Sequence, residues 1–113
     1  MSKFDFFIGP CVLESEQMAM DIAGFLKEEL APFEDKINLT FKGSFDKANR
    51  SSINSFRGLG IDKGLAILEK VNKELGLPTI TDFHLPSQAL EVASVVNTLQ
   101  CTSTLVQCQD IIF

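Results

Sequence analysis

The feature that most restricts the fold of this chain is a rhythm. Four short apolar runs, each closed by a polar cluster, alternate with stretches whose apolar residues recur at helical spacing. The runs are Phe4 to Ile8, which stops at Gly9-Pro10, then Ile37 to Phe41, Thr79 to Thr81, and Val95 to Leu99. Short β-branched and aromatic runs bounded by Gly, Pro and polar residues read as buried strands. After the first, Ser15 is placed to cap a helix with Met18, Ile22, Phe25, Leu26 and Leu30 at helical spacing, and Pro32 ends it. The Met18 and Phe25 stripe reads as core. A second helix has Asp62 as its cap, a stripe through Ile61, Leu65, Leu68, Val71 and Leu75, and Gly76 then Pro78 as stop signals. Pro86 opens a third helix running to about Ser94. Strands alternating with helices at this interval predict βαβ units and a parallel sheet. At 113 residues and 45% hydrophobic side chains, one domain with one core is expected across residues 1–113. The composition of 101–113 has no clear period, which makes that segment an atypical tail.

The polar clusters fall at the same end of the predicted strands. Cys11 to Glu14, Lys42 to Ser52, and Asp82-Phe83-His84 each follow a strand, the position where (β/α)8 barrels carry their active sites. The middle cluster is the densest, with Lys42, Lys47 and Arg50 as cations, Asp46, Asn49, and the hydroxyls of Ser44, Ser51 and Ser52. Lysine as a point charge, arginine as a planar fork, and Ser and Asn as short donors suit a phosphate or carboxylate ligand. A solvated loop is the plain alternative, but it is usually looser and richer in Glu and Pro. Both arginines of the chain, Arg50 and Arg57, fall with Lys42 and Lys47 inside one sixteen-residue window whose only acid is Asp46.

Charge and composition exclude several classes. A net charge of −5 argues against nucleic acid or an anionic membrane as partner. No apolar run approaches the ~20 residues of a membrane span, and the start lacks the apolar core of a signal peptide. A cytoplasmic protein is therefore expected. Cys11, Cys101 and Cys108 are odd in number and lack CxxC spacing, which fits neither a disulfide framework nor a zinc finger. Taken alone, Cys11 reads as a small buried hydrophobe, His84 as readily structural as functional, and Asp46 as a partner for neighbouring lysines.

The motifs Gly9-Pro10-Cys11-Val12-Leu13-Glu14-Ser15, Phe41-Lys42-Gly43-Ser44-Phe45-Asp46-Lys47-Ala48-Asn49-Arg50-Ser51-Ser52, Ser55-Phe56-Arg57-Gly58 and Thr81-Asp82-Phe83-His84 closely resemble the 3-deoxy-D-manno-octulosonate 8-phosphate synthases. The related 3-deoxy-D-arabino-heptulosonate 7-phosphate synthases share the first motif but carry a Lys-Pro-Arg-Thr type loop in place of Lys47 to Ser52, and are the alternative enzyme. The resemblance implies an α/β fold of the (β/α)8 TIM-barrel type, of which this chain holds the first four β/α units, a half-barrel. It implies condensation of phosphoenolpyruvate with arabinose 5-phosphate and water, releasing phosphate, for lipopolysaccharide sugar synthesis. Lys42 and Lys47 would grip phosphoenolpyruvate with Ser44 nearby. Asn49 would contact the pentose, Arg50 and Ser51 its phosphate, and Asp82 and His84 would stand beside the reacting centre. Cys11 resembles the ligand of a divalent metal of the zinc or iron class in the metal-dependent branch, whose other ligands are absent from this chain. Full-length members form homo-oligomers; an open half-barrel would self-associate.

Departures from the family pattern set a second expectation, an inactive remnant or a weak binder of phosphorylated ligands. Position 54 is Asn54 where the family usually has His, and Gln107 replaces an arginine expected to bind phosphate. Permitted codons for Cys101 to Gln107, read one base later, can spell Val-Pro-Ala-Leu-Leu-Cys, close to the family run. A frameshift hypothesis follows, and the nucleotide sequence tests it: codons that cannot give that run in any shifted frame would sink it.

Overall fold

The computed structural model describes residues 2–46 and 58–101. Strand β1 (Phe4–Ile8), helix α1 (Glu16–Leu30), strand β2 (Ile37–Lys42), helix α2 (Ile61–Leu75), strand β3 (Thr79–Phe83), a short helix α3 (Ala89–Ala93) and strand β4 (Thr98–Cys101) follow in order. The four strands form one parallel sheet in the order β1-β2-β3-β4. They make a curled half-barrel alternating with helices, the first units of a TIM-barrel fold.

Register decides which side chains meet. Phe41 pairs with Thr79, Lys42 with Ile80, Thr81 with Leu99, and Asp82 with Gln100. Successive side chains point to opposite faces, so Leu39, Phe41, Phe83 and Cys101 share one face. All four join the hydrophobic cluster beneath the helices. Asn38, Thr40, Lys42, Ile80, Asp82 and Gln100 take the other face, the inside of the curl. The cluster is built on Leu13, Phe41, Leu68, Val71 and Val92, each with 0% exposure.

The local signals explain most boundaries. Ser15 Oγ accepts from Met18 N at 3.0 Å and caps α1. Gly76 closes α2 in the left-handed conformation, φ 69°, with its N–H on Asn72 O. Three expectations are corrected. The cap of α2 is Gly60, not Asp62, which sits inside the first turn where its charge suits the helix dipole. Phe25 is 61% exposed and is not core. Glu16 and Lys27 reach α2 through Lys70 and the Leu75 carbonyl, and Phe25 lies roughly half a turn round α1 from both, so the core-facing line is Ala19 and Ala23. Third, β4 begins at Thr98, not Val95. Val95 and Val96 N–H groups bond back to Val92 O, which wraps this pair into the end of the helical turn. Helix α3 proper spans only Ala89–Ala93, after a 3₁₀ turn at Pro86–Gln88.

Candidate active site

The loop leaving β2 is stitched to its neighbours on both sides. Toward β1, Val12 and Ser44 form a parallel bridge, and Leu13 N donates to Ser44 O at 2.9 Å. Gly9 lies so close to β2 that a Cβ there would stand 1.8 Å from Lys42 O, which leaves glycine as the residue that fits. The Cys11 segment is thereby held beside the start of the cationic stretch. Ser44 is itself buried, its Oγ donating to Asp46 O at 2.9 Å and accepting from Asp46 N at 3.3 Å.

Phe45 fixes the other side. It is 1% exposed and packs on α2 at Gly64, where a Cβ would come within 2.3 Å of Phe45 Cβ. Its carbonyl accepts from Gly60 N at 3.1 Å and lies against Gly58, whose φ of 134° excludes most side chains. Residues 46 and 58 are thus anchored around one aromatic. The ring of Phe45 meets His84 edge to face, centroids 5.7 Å apart at 82°. Through Phe45 the β2 loop and the β3 end become one surface.

Asp82 and His84 follow from β3. Asp82 is the last inward residue of that strand, 8% exposed, paired in register with Gln100. His84 Nε2 stands 3.7 Å from Asp82 Oδ2, within ion-pair reach but beyond hydrogen-bond range. Asp82 Oδ1 and His84 Nε2 are buried with no hydrogen-bond partner among the described residues. Leaving such atoms unpaired costs about 1–3 kcal/mol each, so each gains from a polar partner. His84 N and Leu85 N both donate to Gln88 Oε1, at 2.9 and 3.0 Å.

The structure therefore brings Cys11, Lys42, Ser44, Asp82 and His84 to the C-terminal ends of β1, β2 and β3. Lys47, Asn49, Arg50, Ser51, Asn54, Arg57, Cys108 and Gln107 lie outside the described residues. Cys11 is exposed, which corrects its reading as a buried hydrophobe. No three His, Cys, Asp or Glu side chains among the described residues gather closely enough to hold a metal ion, and a lone thiol does not make such a centre. The sequence reading missed Phe45, Gln88 and Gln100. Gln88 carried a signal, standing three residues after Leu85 at the spacing of a capping box; Gln100 carried none once β4 was placed three residues early.

A cavity lined by Lys27, Leu30, Ile37, Leu39, Leu77 and Pro78 opens near the N-terminal ends of β2 and β3, away from this cluster. No helix among the described residues is long and apolar enough to cross a membrane.

A family model described as the DAHP synthetase I family matches residues 2–112. A curated protein of Francisella tularensis subsp. novicida named 2-dehydro-3-deoxyphosphooctonate aldolase is 59% identical over 97 residues, covering 86% of this chain and 34% of its own. Proteins of the same name from Albidiferax ferrireducens and Legionella pneumophila are 55% and 52% identical, covering 92% and 86% of this chain and 36% and 35% of their own. The chain spans about a third of the length of the curated relatives it matches.

Proposed function

Since the chain belongs to the DAHP synthetase I family, we propose that it carries the first half of a 3-deoxy-D-manno-octulosonate 8-phosphate synthase barrel, the enzyme that its relatives' aldolase name denotes. The observation that supports this most is the placement of Lys42 and Ser44 between the Cys11 segment and the Asp82–His84 pair, at the ends of three strands. In the reaction, C3 of phosphoenolpyruvate bonds to the aldehyde carbon of arabinose 5-phosphate. Water adds at C2, and the C2 oxygen link to phosphate is lost as inorganic phosphate.

Each residue has a task in that reaction. Lys42, on the inner face at the end of β2, and Lys47 hold the carboxylate of phosphoenolpyruvate, with Ser44 shaping the turn between them. Asn49 meets the pentose, and Arg50 with Ser51 its phosphate; arginine suits this because its fork matches two phosphate oxygens. Anchoring each substrate at its charged end turns an encounter in solution into a positioned attack. Asp82 and His84 offer an acceptor and a nitrogen that can donate or accept, suited to orienting hydroxyls beside the new bond. Cys11 stands where the metal-dependent branch has a ligand, and one thiolate alone does not hold a metal ion. A cytoplasmic location goes with the reading.

The test begins with binding. Phosphoenolpyruvate and arabinose 5-phosphate should each perturb the amide spectrum of the purified chain around Lys42 to Ser44 and Asp82 to His84, and K42A should weaken the first by at least ~10-fold, as expected for a charge-assisted contact. No perturbation by either ligand would overturn the reading. Phosphate release from phosphoenolpyruvate that depends on arabinose 5-phosphate then separates a catalytic chain from one that only binds. The second reading, a non-catalytic phospholigand binder, is favoured by Gln107 standing where the family carries an arginine expected to bind phosphate. A four-carbon aldose phosphate in place of the pentose tests the heptulosonate alternative, whose product is one carbon shorter.

A further inference from the structure

We infer that Gln88 is a positioning residue that sets the gap between Asp82 and His84. The inference rests on the proposed function for its use, but not for its test. Strand β3 ends at Phe83, and His84 and Leu85 then have no ladder to take their N–H groups. A single side-chain oxygen takes both: Gln88 Oε1 accepts from His84 N at 2.9 Å and from Leu85 N at 3.0 Å. Gln88 is held in turn, because its own N–H donates to Leu85 O at 3.0 Å within the 3₁₀ turn that opens at Pro86.

The consequence falls on the His84 ring. It meets the Phe45 ring at 5.7 Å between centroids and the Asp82 carboxylate at 3.7 Å, and neither contact is a hydrogen bond. Contacts of that kind do not fix a ring on a free loop. The two N–H hydrogen bonds to Gln88 Oε1 therefore fix the backbone from which the ring projects. They thereby hold His84 Nε2, buried and without a hydrogen-bond partner among the described residues, beside the Asp82 carboxylate, 3.7 Å from Oδ2. An apolar side chain at 88 would release both amides, and His84 would turn to satisfy its nitrogen elsewhere.

His84 is the sole histidine of the chain, so its imidazole gives one unambiguous set of resonances. In the unliganded chain, Q88M keeps the volume but removes the acceptor, whereas Q88E keeps the acceptor. We expect Q88M to lose the His84–Phe45 ring cross-peaks and the slow exchange of the His84 and Leu85 amides, while the Phe6–Leu39 and Phe7–Thr40 contacts across β1 and β2 stay. Q88E should retain all of them. Retention of the cross-peaks in Q88M overturns the inference. So does their loss in Q88E, and so does loss of the β1–β2 contacts in Q88M, which would make Gln88 a general support of the fold. Whether phosphoenolpyruvate or arabinose 5-phosphate moves the His84 signals bears on the proposed function and leaves the clamp untouched.

Discussion

Single residues here are constrained by backbone clearance as much as by chemistry, and two glycines show opposite signs. At Gly9 a Cβ would stand 1.8 Å from a carbonyl oxygen of β2, an atom fixed in the sheet. At Gly24, inside α1, nothing lies within 4 Å of the added carbon and the backbone is helical. Gly9→Ala should therefore destabilise by at least about 1–3 kcal/mol, the range for forced overpacking. Gly24→Ala should stabilise by about 0.5–1 kcal/mol through helix propensity and a narrower unfolded ensemble. Urea denaturation of the two variants checks both, and equal midpoints would refute the clearance argument. The charged and hydroxylic residues of the candidate site stood out in the sequence because so many anion-holding groups crowd one stretch. Phe45 did not, since an aromatic in a polar run gives no periodic signal; its role comes from contacts with Gly64 and His84 that no local pattern encodes.

Elements were legible where a cap or a stop residue marked them. Ser15 and Gly76 each make the contact their residue types favour. Ser15→Ala should cost about 1 kcal/mol by leaving the Met18 N–H without its acceptor, and Ser15→Asp should restore it. A thermal scan in which Ser15→Ala matches the parent would remove the cap from the account. The fourth strand was misplaced because a β-branched pair reads as strand even when, as with Val95 and Val96, its amides close a helical turn onto Val92. Asn97 stands just before β4. Its N–H donates to Thr79 O at 3.0 Å, and its Oδ1 accepts from Thr79 N at 3.0 Å, a two-point link between β3 and β4. Asn97→Leu keeps the backbone half of that link but strands the buried Thr79 N–H, a loss of about 1–3 kcal/mol. Hydrogen exchange at Thr79 is the sensitive probe, and slow exchange surviving in the variant would contradict the assignment.

At the scale of the molecule, the sheet has two open edges among the described residues, β1 and β4, and the apolar exposure collects near them. On β1, Phe4 is 72% exposed and Phe7 50%, with Phe6 at 38%; on β4, Leu99 is 39% exposed. The alternation of β1 puts Phe4 and Phe6 on the face that packs beneath helices elsewhere in the sheet, and Phe7 on the inside of the curl. Each of these side chains is therefore placed for a neighbouring strand and helix. Proteins with open edges of this kind usually blunt them with charge or cover them. Asp5 is the one acid on β1, and its Oδ1 is engaged by Asn38 Nδ2 at 3.1 Å, across to β2. Among the described residues the edge thus lacks a cover, and the chain should associate as its concentration rises. Sedimentation velocity across a hundredfold range of concentration should show mass growing beyond the monomer. Phe4→Lys with Phe6→Lys should return the chain toward monomer without disturbing the core cluster, which contains neither residue. A parent chain that stays monomeric throughout would show that these edges are covered from within the same chain.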